Sequence, residues 1–130
     1  MRNEVCICKL ITVIPNNTPI TVLMHHREFH KTTNTARIAH LALQKCEIRL
    51  HGLKPPADSG ESESTQQTIS FSPGRQPILL TLKEQSEVLT PTLLCQFDRP
   101  LHLIVPDGNW RQASKMGKRV RELQNIPWVN

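Results

Sequence analysis

The chain has 130 residues, with 16 Lys and Arg against 11 Asp and Glu (a formal net charge of +5), and its aromatics are 3 Phe, 2 Trp and no Tyr. That is enough for one domain with a single, mainly aliphatic core. No apolar run approaches the ~20 residues needed to cross a bilayer, and Met1-Arg2-Asn3-Glu4 does not open a secretory signal, so a soluble cytoplasmic protein is expected and membrane and secreted classes are set aside.

Ile20-Thr21-Val22-Leu23-Met24 is short, apolar and β-branched, which predicts a strand buried on both faces. After His25-His26-Arg27-Glu28, the run Thr32-Thr33-Asn34-Thr35 supplies N-caps for a helix over Ala36 to Leu43, with Ile38, Leu41 and Ala42 on one side. Cys46 to Leu50 predicts a second strand. Residues 55–67, which include Pro55-Pro56 and Ser59-Gly60-Glu61-Ser62, predict a flexible surface loop. Ser70 to Arg75 suggests a short strand ending in a Pro73-Gly74 turn. Pro77 to Leu82 and Leu101 to Pro106 predict further buried strands. Strands alternating with helices point to an α/β fold with a mostly parallel sheet flanked by helices.

The closing helix has the clearest signals. Asn109 can cap it, and Gln112 three residues on completes a capping-box pattern. Trp110, Ala113, Met116, Val120 and Leu123 form one apolar stripe, weakened by Gly117, and Pro127 ends the helix before Trp128-Val129 starts a new segment. Arg111, Lys115, Lys118, Arg119 and Arg121 crowd this helix, with Glu122 as its one acid. Such a face is either solvated or a nucleic-acid surface.

Asp107-Gly108-Asn109-Trp110 stands where the last strand gives way to this helix, at the edge of a parallel sheet where ligands bind. Asp107 is a turn former or a catalytic group there. Trp110 is a core anchor or a platform on which a base or adenine stacks. The amides of Asn109, Trp110 and Arg111, at the positive end of the helix dipole, suit a carboxylate or phosphate. His25 and Glu28 follow the first strand on the same edge, and Asn34 and Thr35 cap the next helix; each has a structural reading, and their convergence favours a site. Cys6 and Cys8, two apart in an extended segment, offer either ordinary thiols or half of a four-ligand zinc site. Cys46 and Cys95 sit in apolar stretches and are expected to be buried.

Several of these segments together resemble the DTW-domain family, named for its Asp-x-Thr-Trp signature. Asp107-Gly108-Asn109-Trp110 matches that signature with Asn in place of Thr. Leu23-Met24-His25 with Glu28, then Thr33-Asn34-Thr35-Ala36-Arg37, resembles its His-x-x-Glu…Asn-Thr segment. Cys6-Ile7-Cys8 is similar to the second half of its CxxC…CxC element, of which no first half precedes Cys6. The resemblance implies a SPOUT-like fold and a tRNA-uridine aminocarboxypropyltransferase, which moves the 3-amino-3-carboxypropyl group of S-adenosylmethionine to a tRNA uridine. On that reading Asp107 is the base and Trp110 packs on adenine or the target base. Asn109, with His25, Glu28, Asn34 and Thr35, binds the donor, while Arg111, Lys115, Lys118 and Arg119 bind tRNA. Zinc would have Cys6 and Cys8 as half its ligands. Family members continue beyond the position of Trp128, so an incomplete DTW domain lacking the C-terminal knot segment is expected. The alternatives are a non-catalytic RNA-binding fragment of such an enzyme and a SPOUT-type RNA methyltransferase.

Overall fold

Short apolar runs too brief for helices pair side by side, and they pair in parallel. The computed structural model describes residues 7–32, 34–52, 68–82 and 86–130. Its strands are β1 (Ile20–His25), β2 (Cys46–His51), β3 (Gln76–Leu80), β4 (Leu101–Asp107) and β5 (Trp128–Val129), arranged β2-β1-β4-β3-β5 in one all-parallel sheet. The helices are α1 (Ala36–Ala42), α2 (Pro91–Leu94) and α3 (Trp110–Arg119). The expected α/β class therefore holds. The predicted loop over 55–67 lies outside the described residues.

Each face of the sheet carries its own core. On one, Val22, Met24 and Cys46 pack with Ala36 of α1; on the other, Leu23, Leu79 and Ile104 pack with Met116, Val120 and Leu123. Strands covered on both faces need apolar residues at successive positions, which is why β1 reads as a continuous run. The side of α1 that bears Ile38 and Leu41 turns outward, leaving them 41% and 45% exposed. Ala36 and Ala39 face the sheet instead, and such small residues let the helix lie close to β1 and β2.

Three other expectations are corrected. Ser70 to Arg75 forms no strand: the Ser72 N–H donates to His102 Nδ1 and the Arg75 N–H returns to the Ser72 carbonyl around the Pro73-Gly74 turn. Cys46 is buried, and burial raises its thiol pKa, but Cys95 is exposed. The closing helix stops at Arg119. Val120 turns extended and Leu123 reaches the core from a 3-10 turn, while Gln124 Nε2 caps the Lys118 carbonyl at 2.9 Å. The short α2 had its signal in Thr90-Pro91, a capping hydroxyl followed by a proline at the first helical position.

The amino ends of the strands are tied by a buried polar chain. Ser72 N–H can only donate, so His102 Nδ1 accepts and its proton sits on Nε2, which donates to Thr21 Oγ1 at 2.9 Å. Thr21 in turn donates to Glu47 Oε1 at 2.9 Å, and Arg49 holds the other Glu47 oxygen at 2.8 Å. Thr21 and His102 are 0% and 3% exposed, and a cleft of about 520 Å³ opens beside them at this edge.

Gly117 has a packing role beyond its weak helix propensity. A Cβ there would lie 2.9 Å from Leu79 Cδ2 and 3.1 Å from Trp128 Cζ2, so α3 sits directly on β3 and β5. Gly117→Val should cost about 1–3 kcal/mol in chemical denaturation through overpacking; an unchanged midpoint would show that the helix is free to shift. Burial also lowers the pKa of His102, His51 and His25 below the ordinary histidine value of about 6.5. The folded state then binds fewer protons than the unfolded one, so stability is complete above that value and is lost as pH falls below it. The denaturation midpoint should drop between about pH 7.5 and 5.5, and His102→Gln should flatten that slope; equal slopes would remove His102 from the account.

Candidate active site and nucleic-acid interface

After β1 the chain crosses to β2 on one side; after β4 it crosses over β3 to β5 on the other. The adjacent carboxyl ends of β1 and β4 are therefore a topological switch point, where diverging connections open a crevice. The register sets Met24 opposite Asp107, so His25 and Gly108 follow side by side. His51 arrives at the same edge as the partner of His25 on β2.

Asp107 is half-buried there. Asn34 Oδ1 accepts the Ala36 N–H at 2.9 Å, which leaves its Nδ2 to donate to Asp107 Oδ2 at 2.7 Å. The loop before α1 is thereby fastened to the end of β4. Asn34, rather than Thr35, supplies this cap; Thr35 is exposed and its side chain makes no cap bond. Glu28 pairs with Lys31 Nζ at 2.7 Å in the turn after β1.

The start of α3 is built as its sequence suggests. Asn109 Oδ1 accepts the Gln112 N–H at 2.9 Å, and Gln112 Oε1 accepts the Asn109 N–H at 2.8 Å. Gly108 allows this, since a Cβ on it would lie 3.0 Å from both Gln112 Cβ and Oε1. Trp110 is not a core anchor: it is 68% exposed, and the buried part of the stripe begins only at Met116.

Two clefts flank this junction. The apolar one, of about 360 Å³, is lined by Leu80, Leu82, Val105, Pro106, Gly108, Trp110 and Ala113. The polar one, of about 470 Å³, lies on the other side of α3, between it and the ends of β1 and β2. Its walls carry Arg27, Arg111, Lys115 and Arg119 with His25, His26 and His51, and no carboxylate lines it among the described residues. Arg111, Lys115 and Arg119 recur at every fourth position and so share one helix face. None of them forms an ion pair with a described carboxylate. Lys118 is exposed on α3 outside this lining.

Burial, then the neighbouring His26, His51 and Arg27, lowers the His25 pKa; burial, then Arg119 and His26, does the same for His51. The rings of His25 and His26 lie 4.6 Å apart. His51 and Arg27 escaped sequence reasoning as site residues. The available signal was the equal length of two apolar runs, each followed by a histidine. Cys8 is exposed, Cys6 lies outside the described residues, and no group of three or more His, Cys, Asp and Glu side chains placed to hold a metal occurs among the described residues. No helix among them is long and apolar enough to cross a membrane.

Neither a curated protein nor a solved structure matches the chain. The DTW domain family does, over residues 1–130, and it does so on a chain whose signature segment builds the junction between the two clefts. The chain therefore belongs to the DTW-domain family.

Proposed function

We propose that this chain modifies tRNA, transferring the 3-amino-3-carboxypropyl group of S-adenosylmethionine to a uridine. The observation that carries this reading is the pairing of an apolar cleft beside an exposed indole with a cationic cleft on the other side of α3, both at the switch point; Asp107 ends β4 there, held by Asn34, and lines neither cleft. Membership of the DTW-domain family is consistent with a tRNA-modifying role.

The apolar cleft suits an adenine ring. Trp110 offers a stacking face, and Leu80, Leu82 and Val105 line the same cleft with apolar surface. The first amides of α3, at Trp110 and Arg111, would hold the donor's carboxylate, with Gly108 lining the cleft; the Asn109 N–H is taken by Gln112, and Asn109 lines the cationic cleft instead. The donor supplies a sulfonium whose bond to the γ-carbon breaks as uracil N3 bonds that carbon, releasing neutral 5′-methylthioadenosine. N3 must lose its proton in this step, and Asp107, the carboxylate that ends β4 between Pro106 and Gly108 of the apolar cleft, would take it. Asn34 holds one of its oxygens, and no described residue hydrogen-bonds the other. Arg111, Lys115 and Arg119, with Arg27, would hold RNA phosphates in the cationic cleft. His25 belongs to that cleft, while Glu28 and Thr35 have no assigned contact in this scheme. Zinc enters no step.

Asp107→Asn should lower transfer about a hundredfold or more while leaving tRNA binding intact, as read by chromatography of tRNA nucleosides and of released methylthioadenosine. Full activity would remove Asp107 as the base. S-adenosylhomocysteine as the product would identify a methyltransferase instead, and neither product a binding module. Lys115→Ala should weaken tRNA binding for every sequence and lower the slope of log affinity against log salt by about one. An unchanged slope would place the RNA elsewhere.

A further inference from the structure

The capping box of α3 continues into the crevice. The Asn109 N–H can only donate, so the Gln112 side-chain atom that meets it at 2.8 Å is the carbonyl Oε1. The amide is thereby oriented, and the Gln112 atom 3.2 Å from His25 Nδ1 is the donor Nε2. Arg27 N–H, another obligate donor, reaches the same Nδ1 at 3.3 Å. With two donors converging on it, Nδ1 must be the acceptor, and the ring proton belongs on Nε2. That N–H lies in the cationic cleft beside Gly52, whose Cβ position would be 3.4 Å away, and no described protein atom accepts from it.

We infer that Gln112 is a positioning residue: through the helix cap it fixes the tautomer of His25, so that Nε2–H stands as a permanent donor to a phosphate oxygen of the bound RNA strand. This rests on the tRNA reading above and adds a subsite to it. His25 is then a phosphate donor and takes no part as a base, because a second proton would have to displace both donors at Nδ1. Burial, then His26, His51 and Arg27, disfavours protonation of the ring and Glu28 opposes them, while Arg111, Lys115 and Arg119 line the same cleft. An N–H donor with no described acceptor, among cations paired to no described carboxylate, calls for an anionic oxygen, and a phosphodiester is the anion RNA presents at regular spacing.

Gln112→Glu separates this role from helix capping. Glutamate at the third helical position still accepts the Asn109 N–H and completes a capping box, so thermal stability should be kept. Its other oxygen can only accept, however, so His25 Nδ1 must take a proton. Nitrogen-detected NMR of the imidazoles should show the Nε2–H tautomer in the wild-type chain. In Gln112→Glu the ring should be protonated at Nδ1, with its titration midpoint raised by about one pH unit or more. A wild-type Nδ1–H tautomer, or an unmoved midpoint in the variant, would overturn the positioning role. Adding unmodified tRNA transcript to the wild type should shift the His25 Nε2–H resonance, and gel retardation run in parallel distinguishes the failures. Retardation without that shift would overturn the phosphate role and leave tRNA binding standing. No retardation would remove the tRNA reading and the subsite together.

Discussion

The parallel pairing of β1 with β4, in the register that sets Met24 opposite Asp107, is the constraint on which the rest depends. Residues some eighty positions apart in the chain become neighbours only because these two strands are adjacent. Slip the register by one and Asp107 would move to the other face of the sheet, away from Asn34. The buried apolar residues on both faces of β1 prevent such a slip, since Val22 and Met24 belong to one core and Leu23 to the other. The polar chain from His102 through Thr21 to Glu47 pins the opposite ends of the same strands.

From this constraint follows a division of labour across a single turn of chain. Gly108 and the capping box bring the first turn of α3 to the end of β4, with an apolar cleft to one side and a cationic one to the other. On the proposed reading the first would take a donor with a flat aromatic base and a zwitterionic tail, and the second a polyanion. The cationic side gains further from histidines whose burial keeps them neutral near pH 7, so that they offer donors and acceptors beside the fixed charges of Arg27, Arg111, Lys115 and Arg119. Electrostatic holding by the cations and hydrogen bonding by the neutral rings are separate contributions, and salt weakens the first far more than the second.

Much of the frame was legible in the sequence because it rests on local patterns. The apolar runs of β1, β2 and β4 and the Asn109–Gln112 cap carry their own signals, and the strand-to-helix position of Asp107 follows from them. What escaped depends on long-range packing. Periodicity found an apolar side on α1 but could not say that Ala36 and Ala39, and not Ile38 and Leu41, would face the sheet. The same spacing that put Trp110 in a stripe with Met116 is compatible with its exposure, because the stripe runs past the end of the sheet. Four residues of α2 are too few to show a period. The meeting of His51 with His25, and of Asn34 with Asp107, required the strand order, which no local pattern encodes.

The proposed function requires the donor to sit in the apolar cleft beside Trp110. A proton–nitrogen NMR titration with S-adenosylmethionine tests it most directly, with the Trp128 indole, hydrogen-bonded to the Leu123 carbonyl at 3.2 Å, as an internal reference. Saturable shifts of the Trp110 indole N–H and of the Gly108, Ala113 and Leu82 amides are expected, with Trp128 unmoved. Shifts confined to the cleft around Thr21, Glu47 and His102 at the other edge of the sheet, or no saturable shift at all, would contradict it.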